Sequence, residues 1–167
     1  MQRLLGKSGE FGKQMGIDKI ATYATSMGLG KKTGIDLPGE ESGLIPSDAW
    51  KQRVYHQRWY PGETISVSIG QGAVTVTPMQ AAYTIGGIIL GGKFVQPHLI
   101  EDTKPAPSID FPIAESTVET ITSGMWGVVN EAGGTAAASR LPGIEFGGKT
   151  GTAQTISLQG KQRSGQK

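Results

Sequence analysis

The chain has 167 residues, 37% of them hydrophobic and 26 of them glycine, which suits one loop-rich domain with a modest core. A formal net charge of +2 is too mild to argue for nucleic acid, and the absence of cysteine excludes disulfides and thiolate metal sites. His56 and His98 stand far apart without metal-ligand spacing, "MQRLLGKSGEFG" lacks the apolar core of a signal peptide, and "AAYTIGGIIL" falls short of the about 20 residues that span a bilayer.

Ile17, Ile20, Ala24 and Met27 recur at helical spacing, and Gly28 and Gly30 end that run. A polar region rich in glycine and proline follows, from Lys31 to about Gly62. Its aromatic residues (Trp50, Tyr55, Trp59, Tyr60) argue for an ordered excursion rather than a linker. "TISVSIG" alternates and is β-branched, so a short extended segment is expected there, with "SIGQG" as a tight turn.

Thr77-Pro78-Met79-Gln80 is a capping box with proline at the first helical position, opening a helix expected to reach about Leu90. "KFVQPHLI" looks extended, with Pro97 confining it to an edge, and "DTKPAPSIDFP" reads as a surface connector. Ser116 and Glu119 suggest a second capping box, whose helix carries Val118, Ile121, Met125, Val128 and Val129 on one face. "NEAGG" stops that helix, "TAAASR" adds a turn, and "FGGKTGTAQTI" reads as a strand.

Two Lys-Thr-Gly triplets stand in unlike contexts, Lys32–Gly34 and Lys149–Gly151. The spacing from Gly143 to Gly148-Lys149-Thr150 formally fits a phosphate-binding loop. That loop needs a buried strand before it and a helix after it, and "SRLPG" and "GTAQTISL" offer neither. The other chemistry open to the triplet is a strand edge beside a serine acyl-transfer site. There lysine supplies charge, threonine a hydrogen bond, and glycine room for a substrate. Lys32 is expected to compensate a helix C-terminus before a turn, and Glu40, Glu41 and Glu63 to be solvated. Trp59 and Tyr60 are expected to pack under their loop, and His98 to donate a structural hydrogen bond.

The blocks "GIDKIATYATSMGLGKKTGIDLPGEESGLIPSDAWK", "WYPGETISVSIGQGAVTVTPMQAA", "GGKFVQPHLI", "GMWGVVNEAGGTA" and "GGKTGTAQ" together resemble the class B penicillin-binding proteins, in their elongation-type members. The resemblance covers roughly residues 11–155. It implies an α+β fold, an antiparallel sheet flanked by helices, of which residues 1–167 would be a partial transpeptidase domain. The segment would run from after the Ser-x-Asn motif through the Lys-Thr-Gly strand. The nucleophile-bearing half and the closing strands would lie outside it.

The family uses a Ser-x-x-Lys nucleophile, a Ser-x-Asn element and the Lys-Thr-Gly strand. Only the third occurs here: Asn130 is the single asparagine, and the lone Ser-x-x-Lys, Ser164 to Lys167, follows the strand in a basic tail. The resemblance therefore implies a D,D-transpeptidase segment, inactive alone, that in the intact protein cross-links stem peptides by serine acyl transfer and binds β-lactams. It implies that Lys149, Thr150, Gly151 and Thr152 form the catalytic strand, with Thr150 and Thr152 holding the substrate carboxylate and the Thr152 amide in the oxyanion hole. No metal or organic cofactor is implied. The implied partners are peptidoglycan stem peptides, β-lactams and the membrane-bound elongation machinery, at the extracytoplasmic face of the inner membrane behind an N-terminal anchor. A non-catalytic β-lactam sensor or scaffold of the same fold is the alternative reading.

Overall fold

A computed structural model describes residues 16–101 and 106–151. The chain divides into two compact units, Met1–Val118 and Glu119–Lys167. The first holds α1 (Ile17–Ser26), α2 (Asp48–Tyr55), α3 (Pro61–Ser68), α4 (Pro78–Ile89), β1 (Lys93–Phe94) and β2 (Ile109–Asp110). The division falls within α5 (Glu115–Asn130), which is followed by a short 3-10 turn at Ala137–Ser139.

In the first unit the helix α4 is the organiser. Both halves of its expected capping box form: the Gln80 amide donates to Thr77 Oγ1 at 3.1 Å, and the Thr77 amide donates to Gln80 Oε1 at 2.9 Å. Gln80 is completely buried, and its Nε2 donates to the carbonyls of Lys31 (2.5 Å) and Ser42 (2.7 Å). One turn on, the buried Thr84 hydroxyl donates to Met27 O at 2.9 Å. A further turn on, buried Gly87 receives the ring of Phe94 from β1. The inward face of α4 is thus polar and small, whereas Ile85, Ile89 and Leu90 are exposed.

The polar excursion is ordered, as its aromatics suggested, and holds a helix that hydrophobic periodicity did not mark. Ser47 caps α2, its hydroxyl accepting from the Trp50 amide at 3.1 Å. Lys51 of α2 is buried and pairs with Glu63 of α3, its ammonium 4.8 Å from the Tyr60 ring centroid. Trp59 is half-buried, held by its amide on Asp48 (2.9 Å) and its indole on Thr64 (2.9 Å), whereas Tyr60, expected to pack with it, is exposed.

The extended segment expected at 64–70 is instead the body of α3. Pro61 stands in the first turn of α3, and the Glu63 carboxylate accepts from the Tyr60 amide at 2.9 Å. These start signals, with burial of Thr64 and Val67 on one face, outweigh the weak β preference of the branched residues. "SIGQG" does turn, with Gly70 and Gly72 at φ 74° and 76°.

The expected extended run at 93–100 contracts to Lys93–Phe94. It pairs antiparallel with Ile109–Asp110, so part of the proline-rich connector is strand. Gly92, at φ 95°, leaves no room for a side chain against the Phe111 carbonyl. The helix α5 begins at Glu115, which puts Ser116 inside its first turn rather than before it. Val118, Ile121, Met125 and Val128 are half-buried and Val129 is buried, as their spacing predicts.

Two outcomes test this packing. Alanine in place of a helical glycine ordinarily stabilises by about 1 kcal/mol. At Gly87 the new methyl would lie 2.6 Å from Phe94 Cγ and closer still to two other ring atoms, and Phe94 is only 1% exposed. Gly87→Ala should therefore lower the melting temperature, by about 1–3 kcal/mol of stability; a rise would show that the ring moves freely. Gln80→Met keeps the shape but strands two carbonyls and an amide, so it should cost about 2–4 kcal/mol in the same melt. A loss within error would mean that Gln80 ties nothing down.

Candidate active site

The second unit carries the Lys149 triplet on a segment that returns along α5. The helix stops in glycine: Gly133 takes φ 85°, the Gly134 amide reaches Glu131 O (3.1 Å), and Ala136 N reaches Val128 O (2.9 Å). A Cβ on Gly134 would collide with the carbonyls of Val128 and Gly127, so only glycine lets the chain turn so closely under the helix end. The 3-10 turn follows, then a bridge between Leu141 and Ile144 with Gly143 at φ 77°.

From Glu145 the chain is fixed to α5 residue by residue. The Trp126 indole donates to Glu145 Oε1. Asn130 Nδ2 donates to Phe146 O at 2.9 Å and to Trp126 O at 3.0 Å. Gly147 lies on the helix backbone, where a Cβ would meet Met125 C and Trp126 N at 3.0 Å. The Gly148 amide donates to Met125 O at 2.9 Å. Lys149, Thr150 and Gly151 are exposed. The Lys149 ammonium donates to Thr150 O, and the Thr150 hydroxyl stands 3.0 Å from that of Thr135. Thr152 lies outside the described residues.

The strand expected at 146–156 is not formed over its described part, residues 146–151. A strand takes its hydrogen bonds from a neighbouring strand, and here Gly148 spends its amide on a helix carbonyl instead. The same bond disposes of the phosphate-loop spacing, because a phosphate cradle needs that amide free and a helix after it. A concavity of about 670 Å³ lies beside the segment, lined by Trp126, Asn130, Arg140, Ile144 and Glu145 among others. Its lining does not include Lys149 or Thr150.

The Lys32 triplet is tied up differently. Glu40 accepts from the Thr33 amide and hydroxyl, both at 2.6 Å, and from the Gly34 amide at 3.0 Å. Burial pushes the Glu40 carboxyl up, but the Thr33 and Gly34 donors and the Lys32 charge outweigh it and hold it below the usual carboxylate value. Lys32 is exposed and well past the end of α1 at Ser26, so it compensates no helix dipole there. Glu63 likewise departs from the solvated role expected of it. Burial raises its carboxyl, while the Lys51 ammonium and the Tyr60 amide outweigh that and bring it below the usual carboxylate value. Glu41 and His98 are exposed.

Sequence reasoning gave Lys149 and Thr150 but overlooked Asn130 and Thr135 as their neighbours. Both stand in the block "GMWGVVNEAGGTA" already singled out, yet spacing alone does not show that Asn130 reaches Phe146.

Among curated relatives, the peptidoglycan D,D-transpeptidase MrdA of Acinetobacter baumannii is 39% identical over 160 residues, covering 89% of this chain and 24% of the relative. The protein of the same name from Salmonella typhimurium is 40% identical over 160 residues, covering 89% and 26%. The chain thus spans about a quarter of the length of the relatives it matches. Among solved structures, the penicillin-binding protein PBP2 of Helicobacter pylori, in a complex with MreC, aligns with a TM-score of 0.79 at 36% identity. That alignment covers 87% of this chain and 28% of that one. The expected α+β class therefore holds, although the described residues show only a two-stranded sheet among helices. Matched from residue 8 to residue 167, this chain belongs to the penicillin-binding protein transpeptidase domain family.

Proposed function

We propose that this chain supplies the Lys-Thr-Gly portion of a peptidoglycan D,D-transpeptidase of the elongation type. The observation that carries the reading is the presentation of Lys149-Thr150-Gly151. The preceding Phe146 and Gly148 are bonded to α5 through their backbone, which leaves the triplet itself at the surface. A substrate groove needs such an arrangement, rigid behind and open in front.

In the intact enzyme a serine outside this segment attacks the penultimate D-alanine carbonyl of a stem peptide and releases the terminal D-alanine. An amine from a neighbouring strand then takes the acyl group. Lys149 contributes positive charge beside the serine. Thr150 and Thr152 hold the terminal carboxylate, Gly151 leaves space for the substrate, and the Thr152 amide stabilises the developing oxyanion. β-Lactams enter the same groove as mimics of the D-alanyl-D-alanine end. The domain works on the extracytoplasmic face of the membrane with the elongation machinery; the Helicobacter pylori relative was solved with MreC. Among the described residues no helix is long and apolar enough to cross a membrane.

Two experiments test this. The 167-residue chain alone should take up no labelled penicillin on a denaturing gel, because the one Ser-x-x-Lys it holds, at Ser164, follows the triplet. A covalent band would sink the division of labour proposed here. In the full-length parent protein, Lys149→Ala should cut second-order acylation at least about 30-fold. Lys32→Ala should stay within about 3-fold, since it removes an exposed charge whose partner is the Glu40 carboxylate. Equal losses in folded variants would place the chemistry at the wrong triplet.

A further inference from the structure

We infer that Thr135 is a positioning residue for carboxylate recognition, acting through the hydroxyl of Thr150. The inference rests on the function proposed above. Thr135 sits between two anchored amides, that of Gly134 on Glu131 O at 3.1 Å and that of Ala136 on Val128 O at 2.9 Å. Its place relative to α5 is therefore set by backbone, not by its own packing. Thr150 approaches from the other side, two residues past the last backbone bond, Gly148 to Met125 at 2.9 Å. Asn130 fixes the start of that approach through Phe146 O. The two hydroxyl oxygens then meet at 3.0 Å.

A hydroxyl has one proton to give and two lone pairs to receive. If Thr150 gives its proton to a substrate carboxylate, it can meet Thr135 only as an acceptor. Thr135 is then the donor, and the pair forms a two-member relay pointing its last proton at the carboxylate. Donation from Thr135 also makes the Thr150 hydroxyl a better donor in turn. Without Thr135 the Thr150 hydroxyl can rotate, and its proton is no longer committed to the substrate.

The test is penicillin acylation of the full-length protein, read as half-saturation concentration, limiting rate and burst amplitude. Thr135→Val keeps the shape and removes the donor. It should raise the half-saturation concentration about 10-fold, leave the limiting rate within about 3-fold, and leave the burst amplitude unchanged. Thr135→Ser restores the hydroxyl and should return half-saturation to within about 3-fold of the parent. Thr135 is exposed, and Thr135→Ala provides a second donor-free variant if valine perturbs folding. An unchanged half-saturation in either donor-free variant overturns the inference, provided that the parent is acylated and Lys149→Ala is impaired. So does a loss seen only in burst amplitude, which marks a structural defect, or a serine variant that rescues nothing. No acylation of the parent protein overturns the proposed function and the inference together.

Discussion

The candidate site hangs on one close approach, the backbone of Gly147 lying on the backbone of α5. At this position a single added carbon would stand 3.0 Å from Met125 C and Trp126 N, tighter than ordinary contact. Glycine lets the Gly148 amide come within 2.9 Å of Met125 O without displacing the helix backbone, and that bond fixes where Lys149 and Thr150 emerge. The register of Phe146 against Asn130, the meeting of Thr150 with Thr135 and the exposure of Lys149 all assume that the segment starts from this seat.

The first unit solves the same problem, holding loops against a helix, with side-chain polarity instead of missing side chains. Gln80 uses its carbonyl for its own helix cap and both its amide protons for carbonyls 49 and 38 residues away in sequence. A hydrophobic residue in that place could fill the volume but would leave three backbone groups without partners, a larger loss than the burial would return. Thr84 repeats the device on Met27 O. The buried positions of α4 are accordingly polar or small, while Ile85 and Ile89 are exposed and Ile88 is only half-buried, the reverse of what an amphipathic pattern leads one to expect.

What the sequence made legible was local. The Thr77 capping box, the α1 stop at Gly28 and the α5 face are set by residues within a few positions of one another, and each forms as expected. What it hid was decided at a distance. "TISVSIG" has a strand's composition, yet Pro61 and Glu63 start a helix across it, and Lys51 from another helix neutralises Glu63. Glu40 reads as one more solvated acid until Thr33 and Gly34 turn their donors toward it. At the site, the Lys-Thr-Gly triplet and the family resemblance around it pointed to Lys149 and Thr150. Asn130 and Thr135 carry no motif to mark them, and their role lies in what they meet, the Phe146 carbonyl and the Thr150 hydroxyl.

The two Lys-Thr-Gly triplets show how little a motif means before its hydrogen bonds are assigned. In both, a glycine frees the backbone and a threonine offers a hydroxyl and an amide. At Thr33-Gly34 those donors converge on a carboxylate from the same loop, Glu40, which satisfies them internally. That triplet has in effect already bound its anion, and the binding closes a turn. At Lys149-Thr150 the Gly148 amide and the Phe146 carbonyl that precede the triplet are spent on α5, while Lys149, Thr150 and Thr135 stay at the surface. No carboxylate of the described second unit bonds to Thr150, so its capacity to hold an anion is unspent. The same three residues thus make a structural clip where the acid is intramolecular. They make a binding edge where the acid must come from a substrate.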